Sequence, residues 1–424
     1  MTTPFAVKAY PEMWAGLDMD VARFDKARQM LGEAYQKMFL SQPDRPWAMA
    51  YFDDLMAEIF GRRIEELLAV KKEGRPVVGT FCVYIPEEIV VAAGGVCVGL
   101  CGGSPRPIPD AEKILPRNIC PMVKSAYGFK AGKICPYFQA VDFVYGETTC
   151  DAKKKTWELL DRLVPTYIME IPQMKKARDK VLWLEEVGDF KTKVEEVCGT
   201  TVTADNLAEA ILVINDKRRA LQRLTKNRAA NPAPISGKDA LLIEQMAFYD
   251  EPVRFARQLN ELCDELEERV RSTTGVAPAS APRIMVSGTP MALPNWKVHN
   301  LLEMAGAVVV TEESCIGTRY FKGACWGGHA GGSGHAGGHA GGSRLDIGQI
   351  ICKPVPHCPL SRRDPLSLGH CHLMFYAPCF VTVVCIVRES GSWKWGLFSM
   401  AFNTVFAFSL AVAVYQIGTL LRLG

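Results

Sequence analysis

The chain carries almost no net charge: 49 Lys and Arg stand against 46 Asp and Glu, a formal balance of +3 over 424 residues. That excludes the broad basic surface on which nucleic-acid binding rests, and no nucleic-acid partner is expected. The opening MTTPFAVKAYPEMW sets no apolar core behind a basic start, so no secretory signal peptide is expected. No Gly-x-x-x-x-Gly-Lys-Ser/Thr stretch occurs, which removes the phosphate-cradling loop and any expectation that this chain binds ATP itself. Cysteine is abundant, at fifteen residues, yet never in the Cys-x-x-Cys pairs of a zinc ribbon or the tight run of a ferredoxin. With that size and that start, reduced metal-binding thiols in a cytoplasmic body are expected rather than a disulfide scaffold. The length suits two or three domains.

What is present centres on CVGLCGGSPRPIPDAEKILPRNICPMVKSAYGFKAGKICPYFQAVDFVYGETTCDAKKK, residues 97–155. Cys82 lies just upstream. Cys97 sits inside the apolar run VCVGL and reads as core. Cys82, Cys101, Cys120, Cys135 and Cys150 stand instead beside turn residues: Gly102 and Gly103 follow Cys101, Pro121 follows Cys120, and Pro136 follows Cys135. Soft ligands at turns are placed to approach a metal, although spacing alone leaves the metal open.

Taken in order, residues 12–72 read as helices with apolar spacing, as in Met30, Leu31, Ala34, Tyr35 and Met38, then Leu55, Ile59, Ile64 and Leu67: a packing and dimerisation layer over 1–74. A first α/β lobe is expected over 75–173. PVVGTFCVY is a strand, Pro86-Glu87-Glu88 opens a helix, Gly94-Gly95 closes it, and VCVGL is the next strand. AVDFVYGETTC, DAKKKTWELLDRL and TYIMEI repeat the strand–helix–strand order. Residues 174–281 read as a helical insert of charge-laced amphipathic helices, with Cys198 and Cys263 as structural thiols. RIMVSGT, NWKVHNLLEMAG and AVVVTEESC begin a second α/β lobe over 282–322. Ligands of open parallel sheets bind beyond the carboxyl ends of the strands. Cys82, Cys101, Cys150 and Cys315 fall there, and Cys120 and Cys135 sit in a loop that would fold over it. These six are the metal-ligand candidates. Lys153, Lys154, Lys155 and Glu147 beside Cys150 read first as capping and surface solvation.

CGGSPRPIPDAEKILPRNICPMVKSAYGF, CPYF, GETTCDAKKK, SGTPMALPNWKVH and GAVVVTEESCIGTRYF resemble the 2-hydroxyacyl-CoA dehydratase and benzoyl-CoA reductase superfamily over about residues 10–322, most closely its double-cubane-cluster reductases. The resemblance implies two Rossmann-like lobes around an iron–sulfur cluster, either double-cubane or [4Fe–4S]. It implies a homodimer, and a separate ATP-hydrolysing iron–sulfur activator that delivers low-potential electrons. The activity implied is an iron–sulfur oxidoreductase, with a lyase-type subunit of a 2-hydroxyacyl-CoA dehydratase as the alternative.

After Phe321 that pattern stops, which leaves the second lobe truncated. Residues 323–371 form a Gly/His/Ser-rich linker, and Cys352, Cys358 and Cys371 show no zinc spacing. Residues 395–421 run for more than twenty positions without a charge, enough to span a bilayer, with 373–387 as a shorter companion. A transmembrane hairpin over 372–424 is expected, tethering the cytoplasmic body to a membrane. YAPCFVTVVCIVRESGSWKWGLF and AVAVYQIGTLL resemble the C-terminus of the ferrous-iron transporter B family, which makes a fused, inactive membrane-tethered product a further alternative.

Overall fold

Asp20 starts the first long helix by accepting the Arg23 backbone N–H at 3.1 Å, the bond an N-cap supplies to an otherwise orphaned donor. The structure is a computed structural model that describes residues 5–81, 83–100, 102–174, 176–322, 371–375 and 392–394. Its N-terminal layer is α1 (Pro11–Ala15), α2 (Val21–Tyr35) running into a π-helical turn at Gln36–Leu40, α3 (Met49–Ala57) and α4 (Arg62–Lys72). Leu31, Tyr35, Leu55, Ile59, Ile64 and Leu67 are buried as their spacing predicts. Met30 is not: it is 48% exposed and meets the Arg106 guanidinium instead. It precedes Leu31 by one residue, so a helix turns it about 100° off the buried stripe.

The first sheet contains β1 (Val77–Thr80), β2 (Val96–Gly99), β3 (Phe143–Glu147) and β4 (Thr166–Met169), all parallel, in the order β2-β1-β3-β4. Helix α5 (Glu87–Ala92) crosses from β1 to β2 and ends at Gly94, whose φ of +83° is the left-handed turn glycine allows. Between β2 and β3 come α6 (Ile108–Ala111), α7 (Pro121–Ala131) and α8 (Pro136–Ala140), and α9 (Asp151–Leu160) links β3 to β4. The strands are shorter than the apolar runs suggested. β3 stops at Glu147, three residues before Cys150.

The insert is α10 (Ala177–Cys198), α11 (Ala204–Arg228), α12 (Gly237–Met246) and α13 (Pro252–Arg271). Thr203, Ser236 and Glu251 cap the last three. α13 buries Phe255, Leu259, Leu262 and Leu266 along one face, a stripe that contributes about 2 kcal/mol per side chain. Cys263 is buried on that face and Cys198 packs half-buried beside Val197, the structural roles expected of them. Burial pushes the Cys263 thiol up to about 12 and raises Cys198 as well.

The second sheet has β5 (Arg283–Ser287), α14 (Lys297–Met304) and β6 (Val308–Glu313), followed by α15 (Thr318–Phe321). A third parallel strand, β7 (Cys371–Phe375), lies on the other side of β5, giving the order β6-β5-β7. These five residues belong to the stretch expected to form the linker end and the tail, and they give β5 a neighbour that the sequence did not suggest. A short apolar run does not distinguish strand from helix by periodicity. One core joins the N-terminal layer, one face of the first sheet, α12, α13 and the second sheet; another fills the opposite face beneath α5, α10 and α11. The molecule is thus an α/β protein with parallel sheets. Among the described residues no helix is long and apolar enough to cross a membrane; residues 395–421 lie outside them.

Candidate functional site

In the first sheet β1 sends one connection outward to β2 and has β3 on its other side, so the strand order reverses between β1 and β3. Loops leaving the carboxyl ends of two such strands diverge and open a crevice, the usual ligand position in this architecture. The segment carrying Cys82 follows β1 and the segment carrying Cys150 follows β3. Cys82 and Cys101 themselves lie outside the described residues.

Three of the other candidates occupy one kind of position. Cys120 is the N-cap of α7, Cys135 of α8 and Cys150 of α9, none with a side-chain capping bond. Pro121 and Pro136 explain two of these placements, because proline favours the first helical position and leaves its predecessor extended. Cys120 and Cys150 are exposed at the ends of helices of 11 and 10 residues. Cys135 is only 1% exposed and packs in the main apolar core. Cys315, half-buried after β6, lies beside the Arg319 guanidinium, which Glu313 holds at 2.6 Å.

Both sheets end in the same local pattern, a buried glutamate three residues before a candidate cysteine. Glu147 precedes Cys150 and Glu312 precedes Cys315, and each glutamate is 0% exposed. In each case a side chain from the following helix donates to the glutamate's backbone carbonyl: Trp157 Nε1 at 3.0 Å to Glu147, and Thr318 Oγ1 at 3.0 Å to Glu312. The Glu147 carboxylate takes a bond from Lys153 on one oxygen, while its other oxygen has no partner among the described residues. Lys153 is thus set apart from Lys154 and Lys155, which pair with exposed Asp151 at 3.8 Å and Glu158 at 2.8 Å as surface charges do. Glu312 is held by Arg228 through two bonds of 2.6 and 2.8 Å. Glu312 was not among the residues expected from sequence. Its signal was a charge ending the apolar run AVVV, in register with the GETTC of the first lobe.

The two halves meet close to this edge. A Cβ on Gly103, in the loop after β2, would lie 2.2 Å from the Ala292 carbonyl oxygen in the loop after β5. Only glycine allows that approach. The donors at Cys120, Cys150 and Cys315 therefore fit a thiolate-ligated metal in chemistry and access, whereas Cys135 has the surroundings of a packing thiol. Among the described residues no three His, Cys, Asp or Glu side chains converge as a metal cluster would require. A cavity of about 430 Å³ runs along the open edge of β2, and none of the four described candidate cysteines lines it. Its charges are already matched, Glu87 with Lys217 at 2.9 Å and Arg254 with Asp250 at 2.6 Å.

Residues 82–327 match the family described as 2-hydroxyglutaryl-CoA dehydratase, D-component. The chain belongs to this D-component family. The matched stretch covers more than half of it and takes in all six candidate cysteines. Over 258 residues the chain is 39% identical to YjiM of Escherichia coli (strain K12), provisionally described as a dehydratase subunit, covering 60% of this chain and 66% of the relative. It is 23% identical over 206 residues to the beta subunit of (R)-2-hydroxyglutaryl-CoA dehydratase from Acidaminococcus fermentans, covering 47% of this chain and 53% of the relative. The chain thus spans less than two thirds of the length of either D-component relative. A separate match of 48 residues is 44% identical to an Fe(2+) transport protein A/Fe(2+) transporter FeoB fusion protein of Porphyromonas gingivalis, covering 11% of this chain and 6% of that one.

Proposed function

We propose that the chain is an iron–sulfur oxidoreductase of the D-component family, of the double-cubane type. It would accept one low-potential electron at a time from a separate ATP-hydrolysing activator. The observation that carries this reading is the placement of Cys150 at the carboxyl edge of the β1/β3 switch point, exposed at a helix N-terminus. Cys82, Cys101, Cys120, Cys150 and Cys315 would hold the cluster, with Cys135 as the member of the set least suited to it. When bound, the cluster supplies one-electron reduction at a potential that thiolate ligation and burial set. The chain's own part is to present thiolates at helix N-termini, to hold their loops through Glu147 and Glu312, and to limit water through the contact at Gly103.

Intact protein purified without oxygen should be brown, hold several irons and acid-labile sulfides per chain, and bleach in air. Colourless, iron-free protein from iron-replete anaerobic cells overturns the reading. Reduction should require the activator and ATP together, and ATP hydrolysis by this chain alone would count against it.

A second reading is one subunit of a 2-hydroxyacyl-CoA dehydratase. It is favoured by the names of both D-component relatives, each of which is described as a subunit. Co-purification with a second, different chain selects it, and a homodimer selects the first reading. The chain beyond β7, with its uncharged run at 395–421, would tether either form to a membrane, with the cysteine-bearing body on the cytoplasmic side. Full-length protein should then stay with membranes through carbonate extraction, and a monodisperse soluble full chain would sink the tether.

A further inference from the structure

Beneath the second sheet, four elements converge on a group of charged side chains, of which the proposed electron-transfer role uses Glu312 alone. Arg228 ends α11, Glu244 lies on α12, His299 on α14 and Glu312 on β6, and each is at most 2% exposed. Arg228 binds Glu312 through both terminal nitrogens, at 2.6 and 2.8 Å, and reaches Glu244 at 3.1 Å with the same Nη1 that serves Glu312. His299 Nε2 lies 2.7 Å from Glu312 Oε1. The other charged groups facing the cluster are Glu303 and Lys238. Glu303 accepts from the Gly237 N–H at 2.6 Å, and Lys238 reaches Asn300 at 3.4 Å.

Charge counting makes the group unusual. One guanidinium faces two carboxylates at full burial, so two ionised carboxylates would leave an uncompensated negative charge where water cannot screen it. One proton resolves this, and the hydrogen bonds say where it sits. Glu312 has three bonds from cationic or N–H donors. Among the described residues Glu244 has one shared bond, from Arg228, and its Oε2 has no partner. His299 Nδ1 also has none among the described residues, and an N–H there would be buried with nothing to accept it. Burial, then the neighbouring Glu312 charge, raises the Glu244 carboxyl well above the usual range. Burial works against ionising Glu312 too, but Arg228 and the His299 bond outweigh it and hold that carboxyl down at about 2.

We propose that Arg228, Glu244, His299 and Glu312 form a buried proton-binding site that fastens the helical insert to the second sheet while it holds one proton on Glu244. The sign follows from linkage. Glu244 keeps its proton in the folded chain at pH values where the unfolded chain has lost it. Its contribution is therefore fully present below the ordinary glutamate range, and fades as pH rises from there through its raised folded value. Glutamine reproduces the protonated carboxyl in shape and charge but cannot lose the proton.

The test uses the intact chain. Its infrared spectrum at neutral pH should contain the carbonyl stretch of a protonated carboxylic acid. Glu244→Gln should remove that band, and Glu303→Gln should leave it. Urea midpoints of the wild-type chain and Glu244→Gln should agree near pH 5 and separate as pH rises, with the variant the more stable. A band that survives Glu244→Gln, or a difference in midpoint that does not change with pH, would overturn the proposal. Should Glu244→Gln fail to fold, His299→Gln decides by the same spectrum, because the band must persist when the imidazole is gone.

Discussion

The two lobes end their cysteine-bearing strands in the same way and secure them differently. At Glu147 the counter-charge is Lys153, six residues on and 21% exposed at its side chain. At Glu312 it is Arg228, 84 residues earlier and 1% exposed, joined by Glu244 and His299. The first arrangement is local and partly solvated, so it is forgiving. The second joins helical insert to sheet without solvent, so each member depends on the others. The lesson is that the same strand-end glutamate can brace a single loop or a whole interface, according to where its cation originates.

The comparison predicts unequal damage. Arg228→Met should cost about 3–5 kcal/mol, because it strands buried carboxylates. The measurement is the urea midpoint, with loss of soluble protein as the extreme outcome. Next comes acid. The Glu312 carboxylate contributes stability above its unfolded value near 4.5, and this is lost as pH falls from there toward about 2, on the order of 3 kcal/mol. Glu312→Gln should flatten that limb of the pH–stability curve. Lys153→Met should cost about 1–3 kcal/mol, since water can still reach part of the pair. Equal losses for Arg228→Met and Lys153→Met would erase the distinction between the lobes. Smallest is Lys155→Ala, whose exposed pair with Glu158 should matter by no more than about 0.5 kcal/mol in the same titration.

What the sequence disclosed follows the same division between local and distant. The helix DAKKKTWELL, the Gly94 turn, the parallel strand–helix–strand units and the helical insert were legible because each depends on residues within a few positions of one another. Cys150 near a strand end was legible too. The order β2-β1-β3-β4 was not, since the switch point depends on which faces pack. Nor was the buried group at Arg228: RRALQRLTKNR reads as a solvated helix face, and only tertiary contact turns its last arginine inward. Cys135 is the instructive member of the six. A cysteine before proline reads the same whether its helix N-terminus faces solvent, as at Cys120, or the core. Burial, which spacing does not encode, separates the two.

The most direct test of the central claim compares iron content in intact chains carrying Cys150→Ser and Cys198→Ser, both purified anaerobically. The account predicts that Cys150→Ser loses most of its iron and sulfide, because it removes an exposed cysteine sulfur at the carboxyl edge of the switch point. Cys198→Ser, a packing thiol at the far end of α10, should retain the wild-type amount. Equal iron in the two variants, whether both full or both depleted, would contradict the assignment of the metal to that edge.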